Sequence, residues 1–410
     1  MRRLRSLRQY GTLPRLLGWS FLVVGFVSRL PTSMVIIGVL TLVAAATGSV
    51  GAAGAASASL ALATAASGPL IGRWTDKAGQ RLPLLVLAPI NAAALVALVA
   101  AARAQAPLPA LCLLCVLVGA TTVPVGSLAR VRWLARSTGP RQTGAALSYE
   151  SMADELVFVL GPALVGVAAS AASPALPVLL AALLVAAFVP AFALHPTAAR
   201  DSRVSGGHGR VRGPRLATVL RAVAAPVAGM ACVGMFFGAS QTAVTAYAAD
   251  VGEPSRAGLV YALMGTGSAV AAIAVIALPE AVGTRLRLLL SGAGMAALAA
   301  ALTAAATLGS VALLVLAVGF FVGPAMVTLF TVAGRLAPTG ATAAAMTALG
   351  SANVVGVAAA AALAGALSDA YGPAAGFTVA AAAGAALAVL ALALRVPARH
   401  PRAAGPAPAS

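Results

Sequence analysis

Charge is what this sequence has least of. Nine per cent of its 410 residues are charged, and only nine residues are acidic, where a soluble domain carries roughly 25% charged residues. A water-facing surface cannot be built from that composition. Lysine occurs once, as Lys77, outside any G-x-x-x-x-G-K-[ST] loop, which removes a pump of the P-loop ATPase type. The three histidines, His195, His208 and His400, fall at a span end, in a linker and in the tail, so an enzyme has no histidine base at membrane depth. Cys112, Cys115 and Cys232 all lie in apolar runs. The flanks of the C-x-x-C pair, Ala-Leu-Cys-Leu-Leu-Cys-Val-Leu, describe buried, inert thiols, and no His, Asp or Glu stands near to make a metal site. Segments of about 10 residues alternating apolar and polar, as in a membrane barrel, are missing. So is a repeated filter sequence, which disfavours a channel.

What is present is apolar: 61% of the chain. Ala/Leu/Val runs of roughly 20 residues match the length a helix needs to cross a bilayer, and in lipid only helices and closed barrels satisfy their own backbone. The runs predict an all-α integral membrane fold of twelve spans: 16–42, 51–71, 82–102, 107–129, 144–169, 174–195, 222–247, 257–278, 287–307, 310–333, 342–366 and 373–395. A polar, Gly-rich stretch at 196–215 divides them. The expected organisation is a tail at 1–15, a six-helix bundle at 16–195, a linker at 196–215, a second six-helix bundle at 216–395 and a Pro/Ala-rich tail at 396–410. The basic start Met-Arg-Arg-Leu-Arg is read as the flank of a retained first helix, since the apolar run behind it is too long for a signal peptide.

The arginines are sorted. With the N-terminus inside, 24 of the 27 basic residues fall on inner segments; Arg103 and Arg256 lie outside and Arg29 lies within span 1. This positive-inside asymmetry predicts an even number of spans and both termini in the cytoplasm. It also explains the net charge of +18 without nucleic acid. The expected surroundings are the lipid bilayer of a bacterial-type inner membrane.

Between spans 2 and 3 the chain reads Gly72-Arg73-Trp74-Thr75-Asp76-Lys77-Ala78-Gly79-Gln80-Arg81. Gly79 permits a tight turn, Asp76 can accept hydrogen bonds or pair with a cation, and the basic residues suit a headgroup layer. A plain basic connection with glycines is the bland alternative. Gly72, Asp76, Lys77, Gly79 and Arg81 resemble the signature loop of the major facilitator superfamily, G-x-x-x-D-[RK]-x-G-[RK]-[RK], with Gln80 departing from it. Glu280, Gly283 and Arg285 echo Asp76, Gly79 and Arg81 at an offset of 204 residues. Val118-Gly119 with Val322-Gly323, and Gly161 with Gly365, share that offset. The resemblance implies two six-helix halves related by duplication, with a substrate site near the midplane between them. In that family spans 1, 4, 7 and 10 line the path, which makes Gln241 a cavity candidate. Gln241, like Asn91, Tyr247, Tyr261 and Asn353, equally suits an interhelical hydrogen bond.

Span 5 carries two further features. Gly161-Pro162 and Gly166 resemble part of the family's antiporter motif, G-x-x-x-G-P-x-x-G-G, although Val157 and Val165 replace two glycines. A kinked helix with no bearing on direction is the other reading. Three of the nine carboxylates, Glu150, Asp154 and Glu155, also lie in this span. Asp154 and Glu155 sit roughly 15 Å from its inner end, and Arg29 sits roughly 20 Å along span 1. Glu150 and Asp154 share a helix face, while Glu155 lies about 100° round. Intramembrane charges are functional candidates. The expectation is that Arg29 pairs with Asp154 or Glu155 and that the other carboxylate titrates; a static ion-pair network is the alternative.

The resemblance implies a monomeric secondary transporter of a small solute, not an enzyme. It needs no cofactor and is coupled to H+, with the antiporter fragment favouring efflux. Uptake of a metabolite and a non-transporting membrane sensor are the alternatives.

Overall fold

The structure is a computed structural model and describes residues 11, 13–198, 214–253, 256–275 and 282–393. Among these residues there are helices and connections but no strands. Eleven helical spans among the described residues are long and apolar enough to cross a membrane: Trp19–Thr47, Ala52–Ala78, Arg81–Arg103, Leu108–Arg136, Pro140–Ala169, Leu176–Leu194, Ala224–Asp250, Thr284–Leu302, Leu308–Leu336, Thr342–Tyr371 and Pro373–Ala393. Ala257–Ala272 is apolar but shorter. Taken in chain order, with Ala257–Ala272 as the eighth, they are spans 1 to 12. The linker expected at 196–215 falls mostly outside the described residues, as does the tail at 396–410.

Two spans differ from the continuous helices expected. Span 1 is two helices, Trp19–Val27 and Leu30–Thr47, interrupted at Ser28 and Arg29. Pro31 has no N–H to give to the carbonyl of Val27, so the ladder cannot run through. Span 4 is likewise Leu108–Thr121 and Val125–Arg136. Pro124 breaks it, and the residue before a proline is driven to extended backbone. The second piece of span 4 also runs on to Arg136. Arg130 and Arg132, expected in an inner connection, are instead buried within the bundle. Span 2 continues to Ala78, so most of the stretch expected as a loop at 72–81 is helical. Only Gly79, with φ +73°, and Gln80 make the turn. That φ is one an L side chain rarely adopts.

Buried apolar side chains form two main clusters. One is drawn from Leu13 to Ala193 with Ala343, the other from Met230 to Ala391 with Leu147. Helices approach closely where glycines face backbone, as membrane packing favours. A Cβ on Gly234 or Gly238 of span 7 would strike the backbone of Asn353 or Val357 in span 11. Gly119 does the same for span 4 against span 2, and Gly319 and Gly323 for span 10 against span 8. The two sequence halves meet through spans 2 and 11, 4 and 11, 5 and 8, and 5 and 10.

Candidate transport site

The break in span 1 puts Arg29 at the start of a new helix, 4% exposed. Its Nη2 donates to Glu150 Oε2 at 2.7 Å and its Nη1 to Asp154 Oδ1 at 3.1 Å. Its Nε donates to the carbonyl of Gly25 at 3.0 Å, a group at the end of the interrupted helix. The other oxygen of Asp154 accepts from Arg130 Nη2 at 2.6 Å, and Trp133 Nε1 donates to Glu150 Oε1 at 2.6 Å. Two guanidinium groups thus balance two carboxylates, and every carboxylate oxygen has a donor. That is the arrangement in which buried charges are tolerated. Gly126 makes room for it: a Cβ there would lie 3.0 Å from Asp154 Oδ1 and 3.4 Å from Arg130 Nη1. The guanidinium of Arg130 also lies 3.8 Å from the ring centroid of Phe330, on span 10 of the other half, a cation–π distance.

Glu155 stands apart. One residue further round the helix, it points away from Arg29 and accepts from Ser268 Oγ of span 8 at 2.9 Å. It is 7% exposed, and among the described residues no cation faces it. Of the two partners expected for Arg29, Asp154 is bound to it and Glu155 is not; the second carboxylate on Arg29 is Glu150. Glu150 is fully buried and does not reach an interface.

The signature stretch joins the two halves. The oxygens of Asp76 accept from the backbone N–H groups of Ala343 and Ala344 at 2.9 and 2.8 Å, at the first turn of span 11. These donors have no partner inside the helix, and a carboxylate suits the positive end of the helix dipole. Gly72 packs on the same turn, where a Cβ would strike the Ala343 carbonyl and Thr347 Oγ1. Lys77 and Arg81 are exposed. Gln80 is buried and accepts from Arg132 Nε at 2.9 Å through its side-chain oxygen. The residue that departs from the family pattern thus receives a cation's hydrogen bond instead of supplying one. The echo does not repeat this geometry. Glu280 lies outside the described residues. Gly283 has an ordinary φ of −60°, and Arg285 donates to the carbonyl of Leu392 at 2.6 Å.

In span 5, which runs through Pro162 as one helix, Gly161 lies against Ser33 of span 1, whose Oγ donates to the carbonyl of Val157 at 2.8 Å. Pro162 has no N–H for the carbonyl of Phe158; the bond from Ser33 reaches the neighbouring carbonyl, that of Val157, and ties spans 1 and 5 at this turn. Gln241 is exposed on span 7. Asn91 is buried and donates to the Val118 carbonyl at 2.7 Å, at the broken end of span 4. Sequence reading did not single out Ser33, Trp133, Ser268 or Phe330. Their role is to touch another span, and nothing local marks that.

An all-helical bundle of membrane-crossing length, with two apolar cores meeting around buried charges, defines a multi-pass integral membrane carrier. The chain belongs to the Major Facilitator Superfamily, whose family model matches residues 21–353, and it is accordingly a transporter and not an enzyme. Solved structures share the fold at low identity. The human organic anion transporter MFSD10 (TETRAN) is 19% identical with a TM-score of 0.63, over 95% of this chain and 99% of that one. A bacterial homologue of the iron transporter ferroportin, in an outward-facing state, is 16% identical with a TM-score of 0.65, over 91% and 98%. The E. coli fucose:proton symporter FucP is 16% identical with a TM-score of 0.62, over 91% and 97%. Among curated proteins none matches.

Proposed function

We propose that this transporter exports a small solute across the cytoplasmic membrane in exchange for protons, its two six-helix halves alternating access to a site near the midplane. One observation carries the coupling. Glu155 is buried against Ser268 of the opposite half with no counter-charge among the described residues, while its neighbours Arg29, Glu150, Asp154 and Arg130 balance one another. An uncompensated carboxylate there costs several kcal/mol, so the packed arrangement holds the protonated acid. When spans 5 and 8 part, Ser268 withdraws, water reaches the carboxyl and the proton leaves.

The positive-inside rule puts Arg73, Lys77 and Arg81 in the cytoplasm. On that orientation the Asp76 contact holds spans 2 and 11 together at the cytoplasmic end, the end an exporter keeps closed while it takes up its proton from outside. The Gly161-Pro162 fragment of the antiporter motif, packed against Ser33, supports the antiporter direction.

The test is a proteoliposome assay with an imposed pH gradient and a panel of uncharged phenols, lipophilic cations, sugars and organic anions. Glu155→Gln is expected to abolish gradient-driven movement of the solute while leaving solute–solute exchange. Gradient-driven transport at the wild-type rate in Glu155→Gln would remove Glu155 from the coupling step.

A further inference from the structure

The interruptions in spans 1 and 4 open onto one cavity. Ser28 and Thr32 border it from the first break, Thr122 from the second, Thr64 from span 2 and Asn91 from span 3. The remaining wall is apolar and includes Ile36, Phe158 and Val354 of span 11. The cavity thus lies mostly within the first half, and one residue of the second half reaches it. By the helical rise, Asn91 is roughly 15 Å from the start of span 3, near the middle of the bilayer. No ionisable side chain lines it.

The hydrogen bonds of its polar residues are one-sided. Thr64 Oγ1 donates to the Leu60 carbonyl at 2.9 Å and Thr122 Oγ1 to the Val118 carbonyl at 2.8 Å. Ser28 Oγ donates to the Phe188 carbonyl at 2.9 Å. Asn91 Nδ2 donates to the Val118 carbonyl and to Thr121 Oγ1. A carbonyl can only accept, so the amide orientation follows from chemistry. The three hydroxyls give their protons to backbone and Asn91 gives its amide protons to Val118 and Thr121, so each of the four retains an oxygen lone pair. Asn91 Oδ1 has no partner among the described residues. Thr32 alone keeps a free hydroxyl.

We infer that this cavity binds an uncharged molecule with an apolar body and a hydroxyl that donates to the oxygens of Asn91 and Thr122. A ligand without a donor would strip water from acceptors and give nothing back. A cation would meet no carboxylate, since Glu150 and Asp154 are already paired with Arg29 and Arg130. An anion would find one free donor, the Thr32 hydroxyl, against the lone pairs of Ser28, Thr64, Thr122 and Asn91. The inference names the substrate class of the transporter proposed above and rests on that reading only for what the cavity is for.

Binding is measured without a gradient, so its failure is distinct from a failure of proton coupling in Glu155→Gln. The full chain in nanodiscs is titrated with tritiated 4-ethylphenol, with empty nanodiscs subtracted. Competition uses 4-ethylanisole, which has nearly the same shape without the donor, and 4-ethylphenyl trimethylammonium. The expected result is saturable phenol binding, with the methyl ether about tenfold weaker and the cation weaker still. Thr122→Val is expected to weaken phenol binding about tenfold and leave the ether unchanged. Asn91→Leu, which removes the other acceptor, serves the same purpose if that variant does not fold. Equal affinity for phenol and ether, tighter binding of the cation, or no saturable binding would each overturn the inference.

Discussion

Asp76 and Ala344 are 268 positions apart in the chain and 2.8 Å apart in space. With the N–H of Ala343, this contact caps span 11 of one half with a carboxylate of the other. A carboxylate at a helix start contributes about 0.3–2 kcal/mol, and hydrogen bonds to a charged group about 1.5–3 kcal/mol. Asp76→Asn removes the charge and turns one acceptor into a donor facing a donor. It should shift the equilibrium towards opening of this end by roughly tenfold. In a background without native cysteines, Ser351→Cys, which packs on Gly68 at the same interface, reports the opening. Its alkylation by an impermeant maleimide should be about tenfold faster with Asp76→Asn. An unchanged rate would mean that the contact does not hold this end closed.

The buried charges act as a set. Arg29→Met leaves Glu150 without a cation and Asp154 with only Arg130, and breaking such a pair costs about 3–5 kcal/mol. Arg29→Met with Glu150→Gln removes both members, so the double variant should melt at a higher temperature than the Arg29→Met single. A double variant that melts at the sum of the two single losses would show that the residues act independently.

Much of this was visible beforehand, and the limits have physical causes. Apolar run length gives the spans, because the bilayer sets one length for all of them. The four-residue spacing of Glu150 and Asp154 puts both on one face, which is the face Arg29 meets. The separate direction of Glu155 follows from the same geometry. The breaks at Ser28–Arg29 and Thr122–Pro124 had a local signal in Pro31 and Pro124, masked by the continuous hydropathy around them. Arg130 was hidden differently: a long side chain carries its charge far from its place in sequence, so charge counting set it at the surface. Ser268 and Phe330 were silent, because contact between halves depends on how two bundles dock.

The close approach of spans 1 and 5 at Gly161 predicts a steric dependence. A Cβ on Gly161 would overlap Ser33 Oγ and lie 2.8 Å from Ser33 Cβ. Gly161→Ala should cost about 1–3 kcal/mol by overpacking, seen as a lower melting temperature. Ser33→Gly in the same chain should restore part of the loss. If Gly161→Ala alone melts like the wild type, spans 1 and 5 are not tightly packed at this point.

His195, just beyond span 6, predicts a pH dependence. Its Nδ1 accepts from the N–H of Thr197 at 3.3 Å, which needs the neutral ring. Partial burial, then Arg132 and Arg136, hold its pKa below the usual 6.5. A histidine with a lowered folded pKa adds stability above its unfolded value and loses it as pH falls through the folded value. The melting temperature of the wild type should therefore drop relative to His195→Gln as pH is lowered from about 7.5 to about 5. Parallel melting curves across that range would show that the ring does not titrate with unfolding.

The pairing of two arginines with two carboxylates has an electrical consequence. A cluster of zero net charge can ride with its half of the protein without feeling the membrane voltage, so in the proposed exchange only a proton carried by Glu155 would feel it. If the passenger is uncharged, each exchange carries one positive charge inward. The resting potential then adds about 2.3 kcal/mol per 100 mV to the pull of the pH difference, and expulsion could continue when the two sides stand at equal pH.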